Sequence, residues 1–390
     1  MRCSRAAGLA LLVVSAPALA QSPPASRDIS LKAPDGTELK ATYYAAAAPG
    51  PAVLLLHMCN TTRKSWEPLG PQLAAAGIHA LAVDYRGFGE SGGDRFDALA
   101  PPVAQRAVTE QWPGDVDAAY AFLLAQLGVD TSRIGAAGGS CGVVQAVGLA
   151  RRHPNVRSLA LLAGPLDPAG LMFLTGTPGL PLFAAAAADD RFDDSRPDVM
   201  QWLLAMSGNP RNTFSGFTDG GHGTEIFGPH PELPKQMVAW YADTLVKKPA
   251  DPKAAVAVKD SPTRAFWRDA VSVDRVPDAV RRFDETRKKD PRATLFPEAQ
   301  LNLLGYAHLQ AGRAAQAIEL FKLNTVAYPA SANTYDSLGD AYLANGQNEL
   351  ALRAAERALT VLGNDRADEA RKTAIRDSAG QKIAKLKGGR

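Results

Sequence analysis

The sequence predicts an α/β protein with a mostly parallel central sheet, followed by a smaller region built only of helices. Three observations support this prediction. Short apolar runs alternate with helical patterns through the first 246 residues, which is typical of parallel strands joined by crossover helices. A glycine-rich strand-to-helix turn occupies residues 133–142. Beyond residue 265 the apolar spacing is helical and recurs with a period of 34 residues.

The predicted strands follow one another at short intervals. Residues 28–32 and 39–44 alternate in polarity around a Pro-Asp-Gly turn, so we expect an antiparallel hairpin at the N-terminal edge of the sheet. Continuous apolar runs predict further strands that are covered on both faces, at 52–56, 79–84, 134–138, 158–162 and 182–186. Helices are expected at 66–76 and 115–126.

The first twenty residues have the pattern of a cleavable export signal. Arg2 and Arg5 precede an apolar core at 9–14, and 18–20 supply small residues for cleavage. This apolar core is too short for a permanent membrane span. We therefore expect a mature protein that starts near Gln21 and is periplasmic or secreted.

Composition argues against several classes of partner. The formal net charge is +3, and no cluster of lysine and arginine is interleaved with aromatic residues, so nucleic-acid binding is not expected. No other apolar run reaches the length of a membrane span. Six histidines without a Cys/His cluster give no reason to expect a metal or another cofactor.

The strongest functional motif in the chain is Gly138-x-Ser140-x-Gly142. A serine at this spacing occupies a sharp turn between a strand and a helix, which exposes its hydroxyl above the sheet. Glycine is needed on either side because a side chain there would keep the strand and the helix apart. The helix expected at 143–152 directs its N-terminus at the point where negative charge would develop.

With this turn placed, residues 28–246 resemble the α/β-hydrolase superfamily, and within it the dienelactone-hydrolase-like and small esterase branches. Five landmarks occur in the required order: Leu55-Leu56-His57, 84–91, the serine turn, 181–190 and Gly221-His222-Gly223. The resemblance implies catalytic residues in the order serine, acid, histidine. Ser140, Asp190 and His222 follow that order. The histidine would act as the base that activates the serine, and the acid would orient the histidine.

The choice of acid stays open in the sequence. Asp189, Asp190, Asp193 and Asp194 crowd one loop. Counted from Pro181, the resemblance places the acid at Asp190, with Asp189 as the alternative.

The choice of base is narrower. His222 lies between glycines, in a loop that would let an imidazole reach the serine. His230 is the fallback, although prolines on both sides of it indicate a stiff exposed turn. His57, at the end of a predicted strand, is better suited to hydrogen-bonding the neighbouring loop than to acting as the base.

The backbone N–H groups of Cys141 and of either Met58 or Cys59 are expected to form an oxyanion hole. Dienelactone hydrolases use a cysteine nucleophile, but a frame centred on Cys141 would put Val143 where a glycine is required, so Ser140 is the predicted nucleophile. Two donors to one oxygen must lie close together, which would bring Cys59 and Cys141 within reach of a disulfide. The sequence favours the alternative, two buried free thiols.

Residues 247–265 are rich in proline, lysine and alanine and are predicted to be a linker. Residues 266–386 are predicted to form a tetratricopeptide-like domain. Gly305 and Gly339 lie 34 positions apart (339 − 305), which is the tetratricopeptide period. Small residues at such positions let paired helices approach closely. Tetratricopeptide arrays bind partners on a concave surface, so we expect a protein or peptide partner here.

The sequence therefore predicts an exported serine hydrolase that cleaves carboxylic esters through an acyl-enzyme, with no cofactor. Only about eighteen residues, 163–180, separate two predicted strands, which is too few for a large lid and favours small or mid-sized acyl substrates. A peptidase or thioesterase with the same triad is the nearest variant. The alternative is a tetratricopeptide scaffold whose hydrolase domain is weakly active or inactive.

Overall fold

The computed structural model describes residues 26–192 and 195–388. The predicted export signal, Asp193 and Asp194 lie outside the described residues. The strands of the sheet are β1 (Ser26–Lys32), β2 (Glu38–Tyr44), β3 (Gly50–Leu56), β4 (His79–Val83), β5 (Val129–Gly139), β6 (Val156–Leu162), β7 (Leu182–Ala187) and β8 (Thr213–Phe217).

The eight strands of the described residues form one sheet in the order β1-β2-β4-β3-β5-β6-β7-β8. Strand β2 is antiparallel to both of its neighbours, and the remaining pairs are parallel. The predicted N-terminal hairpin and mostly parallel sheet are therefore confirmed. Strand β8 was not predicted. It lies at the sheet edge and is only partly buried, so it lacks the continuous apolar run by which its neighbours were found.

The helices surround the sheet and then continue alone to the end of the described chain. They are α1 (Gly70–Ala75), α2 (Pro101–Arg106), α3 (Trp112–Leu124), α4 (Cys141–Arg152), α5 (Pro168–Gly176), α6 (Pro197–Ser207), α7 (Glu232–Tyr241), α8 (Pro262–Ala270), α9 (Val276–Lys289), α10 (Glu298–Gln310), α11 (Ala314–Ala327), α12 (Ala332–Ala344), α13 (Asn348–Leu362) and α14 (Glu369–Gly388). None of these described helices is long and apolar enough to cross a membrane.

The helix predicted at 66–76 is shorter than expected. A 3₁₀ turn covers Arg63–Trp66, and α1 begins only at Gly70. Pro71 explains the late start because proline lacks an N–H and is tolerated only in the first turn of a helix.

The sheet is covered by apolar layers on both faces. Along β3, Leu54 and Leu56 contribute to one layer, whereas Val53 and Leu55 contribute to the other. All four side chains are fully buried. This two-sided burial is the reason for the unbroken apolar runs in the sequence.

The C-terminal helices share the first of these layers. Phe266 and Trp267 of α8 and Leu301 of α10 belong to the same buried cluster as Leu203 of α6. The Trp202 and Trp267 ring centroids are 5.0 Å apart. The helical region therefore packs directly on the sheet-containing region.

Helix α8 begins within the predicted linker, 247–265. Ser261 caps α8, its hydroxyl accepting a hydrogen bond from Arg264 N at 3.1 Å, and Pro262 occupies the first helical turn. A serine cap followed by proline is a helix-start signal, and both residues lie within the predicted linker.

Helices α8 to α14 pack largely on their neighbours in sequence. In α10, a Cβ on Gly305 would lie 2.5 Å from the ring of Phe321 in α11, so the expected close approach of paired helices is present there. The membership of this region in the tetratricopeptide class stays a prediction.

Candidate active site

Ser140 lies at the junction of β5 and α4. Its φ of 52° is in the left-handed region, which non-glycine residues rarely occupy. Its backbone N–H donates to the carbonyl oxygen of Leu162 in β6 at 3.0 Å. The side chain is only partly buried. The serine is thus held in a strained backbone conformation at the carboxyl edge of the sheet, as the motif predicts.

The neighbouring glycines are required by close backbone contacts. A Cβ on Gly138 would lie 2.1 Å from the carbonyl oxygen of Gly142. One on Gly142 would lie 2.3 Å from Leu56 O. Gly164, after β6, has the same constraint, since its Cβ would lie 2.3 Å from Ser140 O. Sequence reasoning missed Gly164 because the residue it supports is 24 positions away (164 − 140).

A buried acid–histidine pair follows the last two strands. His222 Nδ1 lies 2.7 Å from Asp190 Oδ2, and the two residues are 3% and 1% exposed. The carboxylate also accepts hydrogen bonds from Ser195 Oγ at 2.8 Å and from Phe192 N at 2.9 Å. Burial by itself would raise the pKa of Asp190. The hydrogen bonds, led by the one from His222, outweigh burial and hold that pKa below its ordinary value.

The structure separates the two candidate acids. Asp189 is exposed, and its carboxylate accepts hydrogen bonds from Gly221 N at 2.9 Å and Gly220 N at 3.2 Å. It therefore holds the backbone of the histidine loop, whereas Asp190 contacts the imidazole itself. This geometry favours Asp190 as the acid.

Further contacts fix the histidine loop. Glu225 Oε2 accepts a hydrogen bond from His222 N at 2.8 Å and pairs with Arg191 at 3.0 Å. The Phe192 ring lies edge-on to the imidazole, with centroids 4.6 Å apart. The roles of Arg191 and Glu225 were not predicted, because a salt bridge between two loops produces no local pattern in the sequence.

The next residue brings this loop against the serine turn. A Cβ on Gly223 would lie 3.6 Å from Ser140 N. Within the described part of the chain, His222 Nε2 is buried without a hydrogen-bond partner. The imidazole thus has one nitrogen hydrogen-bonded to Asp190 and the other without a partner among the described residues, in a loop that lies beside the Ser140 turn.

His230 lies apart from this arrangement. Its Nε2 is 2.9 Å from Asp219 O, and its ring packs on Phe217 with centroids 4.1 Å apart. Both contacts belong to the outer part of the loop, so the fallback base has a structural role.

His57 is fully buried and held at both ring nitrogens. Nδ1 lies 2.6 Å from Met58 O and Nε2 lies 3.2 Å from Tyr85 N. Because a carbonyl accepts and an amide donates, Nδ1 carries the proton. Burial lowers the pKa of His57 to about 4, despite the hydrogen bond to Met58. The ring is therefore a neutral brace for the Met58 loop, in agreement with the sequence-based interpretation.

The oxyanion alternatives differ in their hydrogen bonding. Met58 N donates to Thr61 Oγ1 at 3.2 Å. In the described chain, neither Cys59 N–H nor Cys141 N–H has a hydrogen-bond acceptor. Cys59 is thus the better candidate for the second donor.

Cys59 and Cys141 are joined by a disulfide, with a Cα–Cα distance of 5.8 Å. The favoured expectation of two free thiols is therefore wrong. The pairing also removes Cys141 as a competing nucleophile. The two thiols meet because β3 and β5 are adjacent parallel strands, whose carboxyl ends lie side by side.

The Met58 side chain packs between the serine turn, at Gly139, and the histidine loop, at Gly223. It is fully buried, and a Cβ on Gly139 or Gly223 would lie 3.1 Å or 2.4 Å from its side chain. Both glycines therefore make room for this methionine. Sequence reasoning treated Met58 only as a possible backbone donor.

A serine in a strained strand-to-helix turn, with an acid after β7 and a histidine after β8, defines a class of protein. The chain has the α/β-hydrolase fold. Residues 47–204 match the sequence profile of the family described as serine aminopeptidase, S33.

Two uncharacterized proteins of Mycobacterium tuberculosis, from strains CDC 1551/Oshkosh and ATCC 25618/H37Rv, are each 32% identical to this chain over 133 residues. The aligned part covers 34% of this chain and 43% of the relative. The chain thus spans less than half the length of these curated relatives.

Solved structures with similar folds include esterases. An esterase of Pyrococcus furiosus, Pf2001, gives a TM-score of 0.46 at 17% identity, covering 60% of this chain and 96% of the esterase. The dienelactone hydrolase-like promiscuous phosphotriesterase P91 from metagenomic libraries gives 0.43 at 18% identity, covering 56% of this chain and 98% of its own. At these values the likeness carries no inference about activity.

Proposed function

We propose that the protein is a serine hydrolase that cleaves carboxylic esters of small or mid-sized acyl groups. Ser140 is the nucleophile, His222 the general base and Asp190 the acid that orients it. The backbone N–H groups of Cys141 and Cys59 bind the oxyanion. The observation that carries this proposal is the buried Asp190–His222 pair, whose histidine loop lies beside the strained Ser140 turn.

The arrangement supports a two-step acyl transfer. His222 Nε2 takes the proton of the Ser140 hydroxyl as the oxygen attacks the ester carbonyl. Asp190 accepts the Nδ1–H and stabilises the imidazolium that forms. The imidazolium then protonates the departing alcohol, and a water activated by the same base hydrolyses the acyl-enzyme. No step needs a cofactor.

Turnover of short-chain p-nitrophenyl esters tests the proposal. The full chain should release p-nitrophenol, and Ser140→Ala should reduce kcat to near the uncatalysed rate. Ser132→Ala is the matched control, because Ser132 is an exposed serine at the start of the same strand. A Ser140→Ala protein as active as the control would contradict the proposal.

A peptide bond is the second candidate substrate, favoured by the match to the serine aminopeptidase profile. The same triad and oxyanion hole serve amide hydrolysis, in which His222 protonates an amine leaving group. Aminoacyl p-nitroanilides distinguish the two. Turnover of the anilides with a kcat/KM above that of the esters would assign the protein as a peptidase.

Export and recruitment complete the proposal. Export rests on residues 1–20 and is supported by the disulfide, since disulfides persist in oxidising compartments. The helical region is proposed to recruit a protein or peptide. A scaffold without catalysis is the alternative, and absence of turnover on every ester and anilide, together with retained partner binding, would favour it.

A further inference from the structure

The disulfide joins two segments that are far apart in sequence and meet at the proposed oxyanion hole. Cys141 is the first residue of α4, directly after Ser140. Cys59 lies in the turn that follows β3. The bond spans 82 positions of sequence. The backbone N–H groups of both cysteines, Cys59 and Cys141, have no hydrogen-bond acceptor in the described chain.

The two ends of the bond differ in how else they are held. Cys141 belongs to α4, whose first turn lies against β3 at Gly142, so helix and sheet fix its position. The turn around Cys59 is closed by Met58 N to Thr61 Oγ1 at 3.2 Å and Thr61 N to Met58 O at 3.4 Å, and His57 Nδ1 also donates to Met58 O. The disulfide is the covalent tie between the Cys59 turn and the serine turn.

We infer that the Cys59–Cys141 disulfide is a positioning device for the oxyanion hole, fixing the Cys59 N–H relative to the Cys141 N–H. The inference rests on the proposed function and names a further requirement of the same site. Donors stabilise a transition state in proportion to how well they are preorganised. Without the bond, the Cys59 turn must be ordered as the oxyanion forms, which lowers kcat and leaves substrate binding in the ground state unchanged.

Reducing the bond in the folded protein requires the reductant to reach it. Both cysteines are only partly buried. A dithiol reductant supplies two electrons and two protons, so the S–S bond breaks, two thiols form, and the dithiol closes to a cyclic disulfide. Reduction changes only side chains, and both backbone N–H groups remain.

The test compares kcat and KM for a p-nitrophenyl ester in three forms of the full chain: oxidised, reduced by the dithiol, and the double variant Cys59→Ala/Cys141→Ala. The double variant is the matched control since it keeps both N–H donors and cannot form the bond. Alkylation and peptide mass of the two cysteine peptides report the redox state. The assay temperature lies well below the unfolding transition of all three forms.

We expect kcat of the reduced protein and of the double variant to fall by at least about tenfold, up to the 10²–10³ that losing a whole donor costs, with KM unchanged. Reoxidation should restore kcat of the wild type, and the dithiol should not alter the double variant. If the disulfide only stabilises the fold, its loss would lower the unfolding temperature and leave kcat unchanged. That result would overturn the inference while the proposed function stands. An oxidised protein without turnover or serine labelling would overturn both.

Discussion

At the scale of single residues, the site depends on groups whose charge state is set by their neighbours. Asp190 is nearly fully buried but remains a carboxylate because three donors surround it. His57 is buried without a charged partner in hydrogen-bond contact and stays neutral. In the proposed mechanism Asp190 stabilises the imidazolium of His222, whereas His57 holds the Met58 loop.

The two adjacent aspartates provide a matched pair of variants. Asp190→Asn should lower kcat by about 10³–10⁴-fold with little change in KM, because an amide neither stabilises the imidazolium nor fixes its tautomer. Asp189→Asn should cost far less, since an amide oxygen can still accept from the Gly221 N–H. Steady-state kcat and KM values for one ester compare the two variants with the wild type. Equal losses, or a larger loss at Asp189, would contradict the assignment.

The buried His57 predicts a dependence of stability on pH. Its pKa is about 4 in the folded protein, against an ordinary value of 6.5. Between these values the unfolded chain binds a proton that the folded chain does not, so stability falls as the pH is lowered through this window. The contribution is at most about 3 kcal/mol.

Urea unfolding of wild type and His57→Gln across that window measures this effect. Glutamine keeps one donor and one acceptor but does not titrate, so the variant should lose less stability on acidification. Parallel pH profiles for the two proteins would show that His57 does not contribute.

At the scale of elements, the sequence was most informative where one local feature decides the structure. The Ser140 turn was predictable because its glycines are needed within two positions of the serine. Strand β8 and the Arg191–Glu225 contact were not, since an edge strand lacks an apolar run and the ion pair joins two loops. The Cys59–Cys141 disulfide could not be predicted with the same certainty, because the distance between the two cysteines in the fold does not follow from their spacing in the sequence.

Two equivalent glycines in the helical region offer an element-scale prediction. In α10, a Cβ on Gly305 would lie 2.5 Å from the fully buried ring of Phe321. In α12, a Cβ on Gly339 would meet nothing closer than 3.6 Å. Gly305→Ala should therefore destabilise the fold by about 1–3 kcal/mol.

Gly339→Ala should be neutral or stabilising by up to about 1 kcal/mol, because alanine is the better helix former. The unfolding temperatures of the two variants, compared with that of the wild type, test both predictions. A Gly339→Ala protein that unfolds as early as Gly305→Ala would contradict the packing described for α10 and α11.

At the scale of the whole molecule, the sheet and the first C-terminal helices share one core. Helix α6 begins shortly after the Asp190 loop and packs on α8 through Trp202 and Trp267. Arg264 of α8 donates to the carbonyl oxygens at the C-terminus of α6, including Met206 O at 2.8 Å. The helical region therefore braces an element that carries the proposed acid loop.

A chain ending at residue 246 should consequently be unstable or insoluble, because it would expose the apolar face that α8 to α11 cover. The matched control ends at residue 367 and removes only α14, whose buried apolar residues belong to separate small clusters. That control should stay folded and keep its ester turnover. Circular dichroism and soluble yield compare the two, and a folded, active chain ending at 246 would contradict the shared core.

The central claim is that Ser140 is the nucleophile of an acyl-transfer site, and covalent labelling tests it most directly. The full chain is treated with a fluorophosphonate, and the modified peptide is mapped by mass spectrometry beside Ser140→Ala and denatured controls. The account predicts one adduct, on Ser140, that requires the folded protein and is absent from Ser140→Ala. No adduct on the folded wild type, or one that survives Ser140→Ala, would contradict it.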